Sequence, residues 1–175
     1  SWLREIRVLD KAIHPEFGVN LVLVVEVLLH DGIGNDLEFG GANVSLCVFG
    51  LIGLIGYGYI GRYIYEQITT RPDLGLDVAF VHNRTPAKVA DMPSDVILAD
   101  LADFQERSAD LIVELAHPDV TRNYGVDFLA HTDYMPLSLT AFADATLEAA
   151  LLDTAHSAGT RIFVPHGAVI GLDAL

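Results

Sequence analysis

Leu51-Ile52-Gly53-Leu54-Ile55-Gly56-Tyr57-Gly58-Tyr59-Ile60-Gly61-Arg62 decides the fold of this 175-residue chain. Its first half is an apolar run that reads as a buried strand. The run breaks at Gly56-x-Gly58-x-x-Gly61, and a helical pattern starts at once, with Ile60, Ile64 and Ile68 on one face. Strand, turn and helix fall where a dinucleotide-binding turn needs them. The first glycine permits a tight turn, the second lets a pyrophosphate approach the backbone, and the third lets the helix pack close to its strand. The phosphates would meet free N–H groups and the positive end of the helix dipole.

Outward from this stretch, the composition narrows the classes. Half of the residues are apolar (51%), enough for a real core. Acidic residues outnumber basic ones 24 to 10, for a net charge of −14. That balance argues against nucleic acid or an anionic membrane as partner, since both need clustered Lys and Arg. Cys47 is the single cysteine, so no disulfide framework is possible and a reducing, cytoplasmic setting is expected. The apolar runs 19–29 and 44–60 are better explained as a strand and as the glycine turn than as membrane spans. The seven histidines and one cysteine show no metal-ligand spacing, and no serine sits in a nucleophile-elbow pattern.

Residues 1–45 read as an extension of unassigned role, and residues 46–175 as one nucleotide-binding domain. The chain starts at Ser1 rather than Met and stops shortly after a strand, so a piece of a longer protein is expected. After the first strand and its helix, apolar runs recur at 76–81, 96–98, 111–113, 134–137 and 161–164. Helical patterns separate them, with Thr85-Pro86, Asp100 and His117-Pro118 as starts and Ala158-Gly159 as a stop. A long helix is expected from near Ala141 to His156, with Thr140 or Ser138 as its cap. Alternation at this spacing means an α/β fold, a Rossmann-type doubly wound parallel sheet of about six strands.

Ligands of such sheets bind beyond the carboxyl ends of the strands. After the second strand come His82-Asn83-Arg84. An Asp or Glu would normally stand about 20 residues past the last glycine to hold the adenosine ribose of NAD. Asn83 stands there instead, and Arg84 can pair with a 2′-phosphate or stack on adenine, which tilts the cofactor from NAD towards NADP. After the fourth strand, Ala116 allows close approach and His117 faces the central part of a bound dinucleotide. Glu114, at the tip of that strand, reads as paired to backbone more readily than as a base. Ser138, Thr140 and Ala141 make a polar, small-residue edge after the fifth strand, and Gly167 and Ala168 follow the sixth.

These blocks carry a family likeness. Ile55 to Gly61, Val81-His82-Asn83-Arg84, Val113-Glu114-Leu115-Ala116-His117-Pro118, Thr140-Ala141-Phe142-Ala143-Asp144 and Gly167-Ala168-Val169-Ile170-Gly171-Leu172-Asp173 together resemble the amino-terminal domain of the L-aspartate dehydrogenases. They resemble most the branch known as aspartate dehydrogenase domain-containing proteins. The resemblance implies NAD(P)-dependent oxidation of L-aspartate to iminoaspartate, then oxaloacetate and ammonia, by a homodimer with a second, substrate-closing domain. Carried over residue by residue, Gly56, Gly58, Tyr59, Ile60 and Gly61 would hold the pyrophosphate. Asn83 and Arg84 would hold the adenosine ribose side, Ala116 and His117 the centre, and Thr140, Ala141, Gly167 and Ala168 the nicotinamide end. Two departures stand out. His166 replaces the family's usual Ser, and the family's catalytic histidine would lie beyond Leu175, so no catalytic residue is assigned and the 175 residues alone are expected to be inactive. Two other readings remain: the cofactor domain of another amino-acid, homoserine or sugar dehydrogenase, and a non-catalytic NAD(P)-sensing module.

Overall fold

A computed structural model describes residues 50–164. The extension 1–45, Cys47, His166, Gly167 and Ala168 lie outside the described residues. Four parallel strands form the sheet: β1 (Leu51–Ile55), β2 (Asp77–His82), β3 (Leu111–Glu114) and β4 (Asp133–Pro136), in spatial order β2-β1-β3-β4. Among the described residues, helices α1 (Tyr59–Thr70), α2 (Pro118–Leu129) and α3 (Ala145–Ala158) and four 3-10 turns connect and follow them. Among the described residues, no helix is long and apolar enough to cross a membrane.

Alternation along the strands sorts the core onto two faces. Ile52, Leu54, Val81, Val113 and Met135 pack with Ile64 and Ile68 of α1. Ile55, Phe80, Ile112 and Tyr134 pack with Phe128 and Leu129 of α2 and Leu151 of α3. Because helices cover both faces, the strands read as continuous apolar runs rather than as alternating ones. Ile60, Ile64 and Ile68 do share a face, with Ile64 and Ile68 fully engaged and Ile60 half-buried.

The ladder contains four strands and not the expected six. Segments 96–98 and 161–164 each join it by one bridge, Val81 to Ile97 and Tyr134 to Ile162. Side chains stop these ladders from growing. On the β2 side, His82 Nδ1 bonds Leu98 O at 2.9 Å, taking the carbonyl that the next rung would use, while Arg107 donates to the carbonyls of Asp95 and Ile97 on the outer edge of the segment. At the other edge, the Arg161 N–H goes to the Asp133 carboxylate at 2.7 Å rather than to a neighbouring strand. The two bridges still place these segments where outer strands of a doubly wound sheet belong.

Some helix ends fall where their local signals stand and others do not. Asp100 caps the 3-10 turn Leu101–Arg107, and Gly159 ends α3 in the left-handed region at φ 73°. Thr85 precedes a 3-10 turn, Pro86–Lys88, without a side-chain cap bond. The helix expected from Ala141 begins instead at Ala145. Residues Leu139–Ala143 form a 3-10 turn, and Asp144, not Thr140 or Ser138, accepts from the N–H groups of Thr146 and Leu147.

Candidate functional site

Strand order reverses direction at β1: the chain moves out to β2 and then returns to β3 on the other side. Such a switch point opens a crevice between the carboxyl ends of the two strands. Gly56 turns there at φ +108°, in the region that disfavours side chains. A Cβ on Gly56 would sit 2.9 Å from the Leu115 carbonyl and 3.0 Å from Ala116 N. One on Gly61 would sit 2.0 Å from Gly56 O, so only glycine lets α1 begin this close to β1. At Gly58 the space is open, with nothing within 4 Å of a Cβ.

No side chain caps α1 at Gly58, whereas His117 Nδ1 caps α2 and Asp144 caps α3. The first-turn N–H groups of α1 therefore face an open turn, and orphan donors with the positive dipole end suit a phosphate. The turn thus fits a dinucleotide sterically and electrostatically. Tyr59, the first helical residue, is 88% exposed at its mouth, and Ile60 is half-buried beside it.

Asn83 follows β2 and reaches across to the turn. Its Oδ1 accepts from Tyr57 N at 3.0 Å, and its Nδ2 donates to Thr85 O at 2.9 Å. An amide has two acceptor and two donor positions, so one of each remains for a ribose hydroxyl. Arg84 is exposed and makes no ion pair among the described residues. Two further cations that spacing did not single out lie nearby. Arg62 and Lys88, with Tyr57, Gly58, Tyr59, Tyr63 and Glu66, line a cleft of roughly 510 Å³ at the start of α1. Arg62 rests over the Tyr57 ring at 5.4 Å.

On the far side of the crevice, Glu114 ends β3 with 0% of its surface exposed. Its Oε1 accepts from Ala116 N at 2.6 Å, His117 N at 2.7 Å and Ser138 Oγ at 3.0 Å, and its Oε2 from Ser138 N at 3.2 Å. Burial pushes this carboxyl above the usual carboxylate range, and those hydrogen bonds pull against it. Taking a lone carboxylate out of water costs several kcal/mol, and charge-assisted hydrogen bonds contribute about 1.5–3 kcal/mol each, so four offset part of the loss. A carboxylate so fully occupied anchors loops; it is not placed as a base. Ala116 and His117 are exposed at the crevice, as is Thr140, while Ala141 is wholly buried in its 3-10 turn. Among the described residues, no group of three or more His, Cys, Asp or Glu could hold a metal.

Residues 56–165 match the family described as homoserine dehydrogenase, NAD binding domain. The aspartate dehydrogenase domain-containing protein of Danio rerio is 40% identical over 122 residues, covering 69% of this chain and 44% of that protein. L-aspartate dehydrogenase of Methanospirillum hungatei is 34% identical over 128 residues, 71% of this chain and 49% of that protein. The crystal structure of aspartate dehydrogenase from Thermotoga maritima aligns with a TM-score of 0.53 at 26% identity, covering 73% of this chain and 49% of that one. The likeness read from the sequence blocks therefore holds in sequence and in backbone. The chain spans about half the length of the curated relatives it matches.

Proposed function

The chain belongs to the NAD-binding-domain family of homoserine dehydrogenase, and from that premise we propose that it is the cofactor-holding part of an NAD(P)-dependent L-aspartate dehydrogenase. The observation that carries the reading is the pairing of an open, uncapped glycine turn with 40% identity to an aspartate dehydrogenase domain-containing protein over the same segment. A nicotinamide held there would supply the hydride acceptor for oxidation at the amino-bearing carbon of the substrate. The chain's own residues do the holding. Gly56, Gly58, Tyr59, Ile60 and Gly61 present backbone to the pyrophosphate, and Asn83 meets the adenosine ribose with its remaining donor and acceptor. Ala116 and His117 border the centre, and Thr140, Ala141, Gly167 and Ala168 belong to the nicotinamide end.

Arg84, with no acid after β2 to oppose it, supports a lean to NADP. Arg62 and Lys88 add positive charge on the same side of the turn. The whole enzyme works as a homodimer in the cytoplasm on a free amino acid, with the catalytic histidine outside residues 1–175. On this reading those residues alone bind cofactor and turn over no aspartate.

The test is reduction of NADP and NAD by the full-length protein, followed by nicotinamide absorbance, with L-aspartate, D-aspartate, L-homoserine and L-glutamate as substrates. L-Aspartate alone should be oxidised. The family match favours a second reading, oxidation of homoserine, and turnover of homoserine without aspartate would select it. Tight nucleotide binding with no turnover of any of the four would leave a sensing module.

A further inference from the structure

Glu114 links three segments that are distant in sequence, and each borders the crevice. It is the last residue of β3, in register with Ile55 of β1 on one side and Pro136 of β4 on the other. Its side chain bonds the N–H groups of Ala116 and His117 in its own loop and both the N–H and the hydroxyl of Ser138 in the next. Its backbone carbonyl accepts from Leu137 N at 2.9 Å, so the 138 loop is held twice. The loop it shapes is also the surface on which the glycine turn rests, because Leu115 and Ala116 are the atoms that a Cβ on Gly56 would strike. No cation touches the carboxylate among the described residues; backbone dipoles and one hydroxyl balance it.

We propose that Glu114 is the positioning residue of the cofactor crevice: one buried carboxylate sets the loops after β3 and β4 and, through Leu115 and Ala116, backs the glycine turn. This rests on the cofactor reading above and extends it to a residue that need not touch the cofactor. The chemistry requires a carboxylate. Glutamine would turn an NH₂ group towards one of the four donor groups that now find acceptors, most directly the Ser138 N–H. Aspartate is one methylene too short to reach both loops.

The experiment uses the full-length chain, with calorimetric titration of NADPH and NADH and site-resolved amide hydrogen exchange on the parent, E114Q and S138A. For E114Q, exchange at position 138 should quicken and the Kd for both nucleotides should rise at least tenfold in the folded protein. S138A keeps the amide contact and loses only the hydroxyl, so its Kd should rise about threefold, a shift on the order of 0.7 kcal/mol. A purely structural role would lower the unfolding midpoint and leave Kd unchanged; that result, or unchanged exchange at position 138, overturns the proposal. Should E114Q not fold, S138A decides, and parental affinity in S138A overturns it. If the parent binds neither nucleotide, the cofactor reading itself falls, which is a different outcome from a variant that binds like its parent.

Discussion

Asn83 and Tyr57 are tied together across 26 residues of sequence, the Asn83 side-chain oxygen accepting from the Tyr57 backbone N–H at 3.0 Å. The tie follows from the register of β1 with β2, which sets Ile55 beside His82 and so brings the two following loops into contact. The Gly56 N–H, bonded to His82 O at 2.8 Å, completes the seam. The residue proposed to meet the adenosine ribose therefore also ties down the glycine turn.

Asn83→Asp keeps the acceptor for Tyr57 and adds a negative charge where a 2′-phosphate would approach. The ratio of NADPH to NADH affinity should fall at least tenfold, about 1.4 kcal/mol, with a stability loss of about 1 kcal/mol because the new oxygen cannot donate to Thr85 O. Fluorescence titration of both nucleotides measures it; an unchanged ratio would place the discriminating contact elsewhere.

Gly58 and Gly61 should separate binding from folding. Gly61→Ala drives a Cβ to 2.0 Å from the Gly56 carbonyl, an overpacking that costs about 1–3 kcal/mol or more. Gly58→Ala meets nothing within 4 Å, at a φ of −87° that alanine tolerates. Its stability should change by less than about 0.5 kcal/mol. Nucleotide affinity should nonetheless drop, because the methyl fills the space in front of the turn. Urea unfolding beside calorimetry distinguishes the two effects.

Asp133 gives a pH dependence of definite sign. Burial pushes its carboxyl up to about 6. The Arg161 backbone N–H on Oδ1 pulls the other way, and the Arg161 guanidinium, which donates from Nε and Nη2 to the single oxygen Oδ2, is 36% exposed and screened by water, so burial dominates. A folded-state value above the unfolded value of about 3.9 means that the folded protein binds the proton more tightly. The contribution is complete below about pH 4 and is lost as pH rises through 6, amounting to at most about 3 kcal/mol. Denaturant unfolding of parent and D133N across this window should show that slope in the parent and a flatter one in the variant.

Asp144 is the cap of α3, accepting from two backbone N–H groups. Asp144→Ala should cost about 1 kcal/mol of stability, read from the thermal midpoint, and leave nucleotide affinity unchanged. Ser138→Ala, by contrast, should act on affinity through Glu114.

Local signals carried the reading where the physics is local. The apolar run, the glycine spacing and the Ile64–Ile68 face define β1, its turn and α1 without reference to the rest of the chain. Pro118, Asp100 and Gly159 mark element ends for the same reason, since each acts on backbone within a few residues. The failures sit where the deciding partner is remote. The segments 96–98 and 161–164 have strand-like composition, yet His82 and Asp133 claim backbone groups that would extend their ladders. Hydroxyls at Ser138 and Thr140 look like caps for a helix starting at Ala141, but Glu114 takes the Ser138 hydroxyl and Asp144 caps α3 instead.

Sequence alone determined a doubly wound sheet organised on a dinucleotide turn, because helix and strand periods, and the steric privilege of glycine, are written in neighbouring residues. Tertiary structure alone decided which side chains meet at the crevice: Asn83 with Tyr57, Glu114 with Ser138, and Arg62 and Lys88 around one cleft. These meetings depend on strand register and strand order, which bring segments tens of residues apart to one edge of the sheet. No local pattern in the chain encodes that juxtaposition.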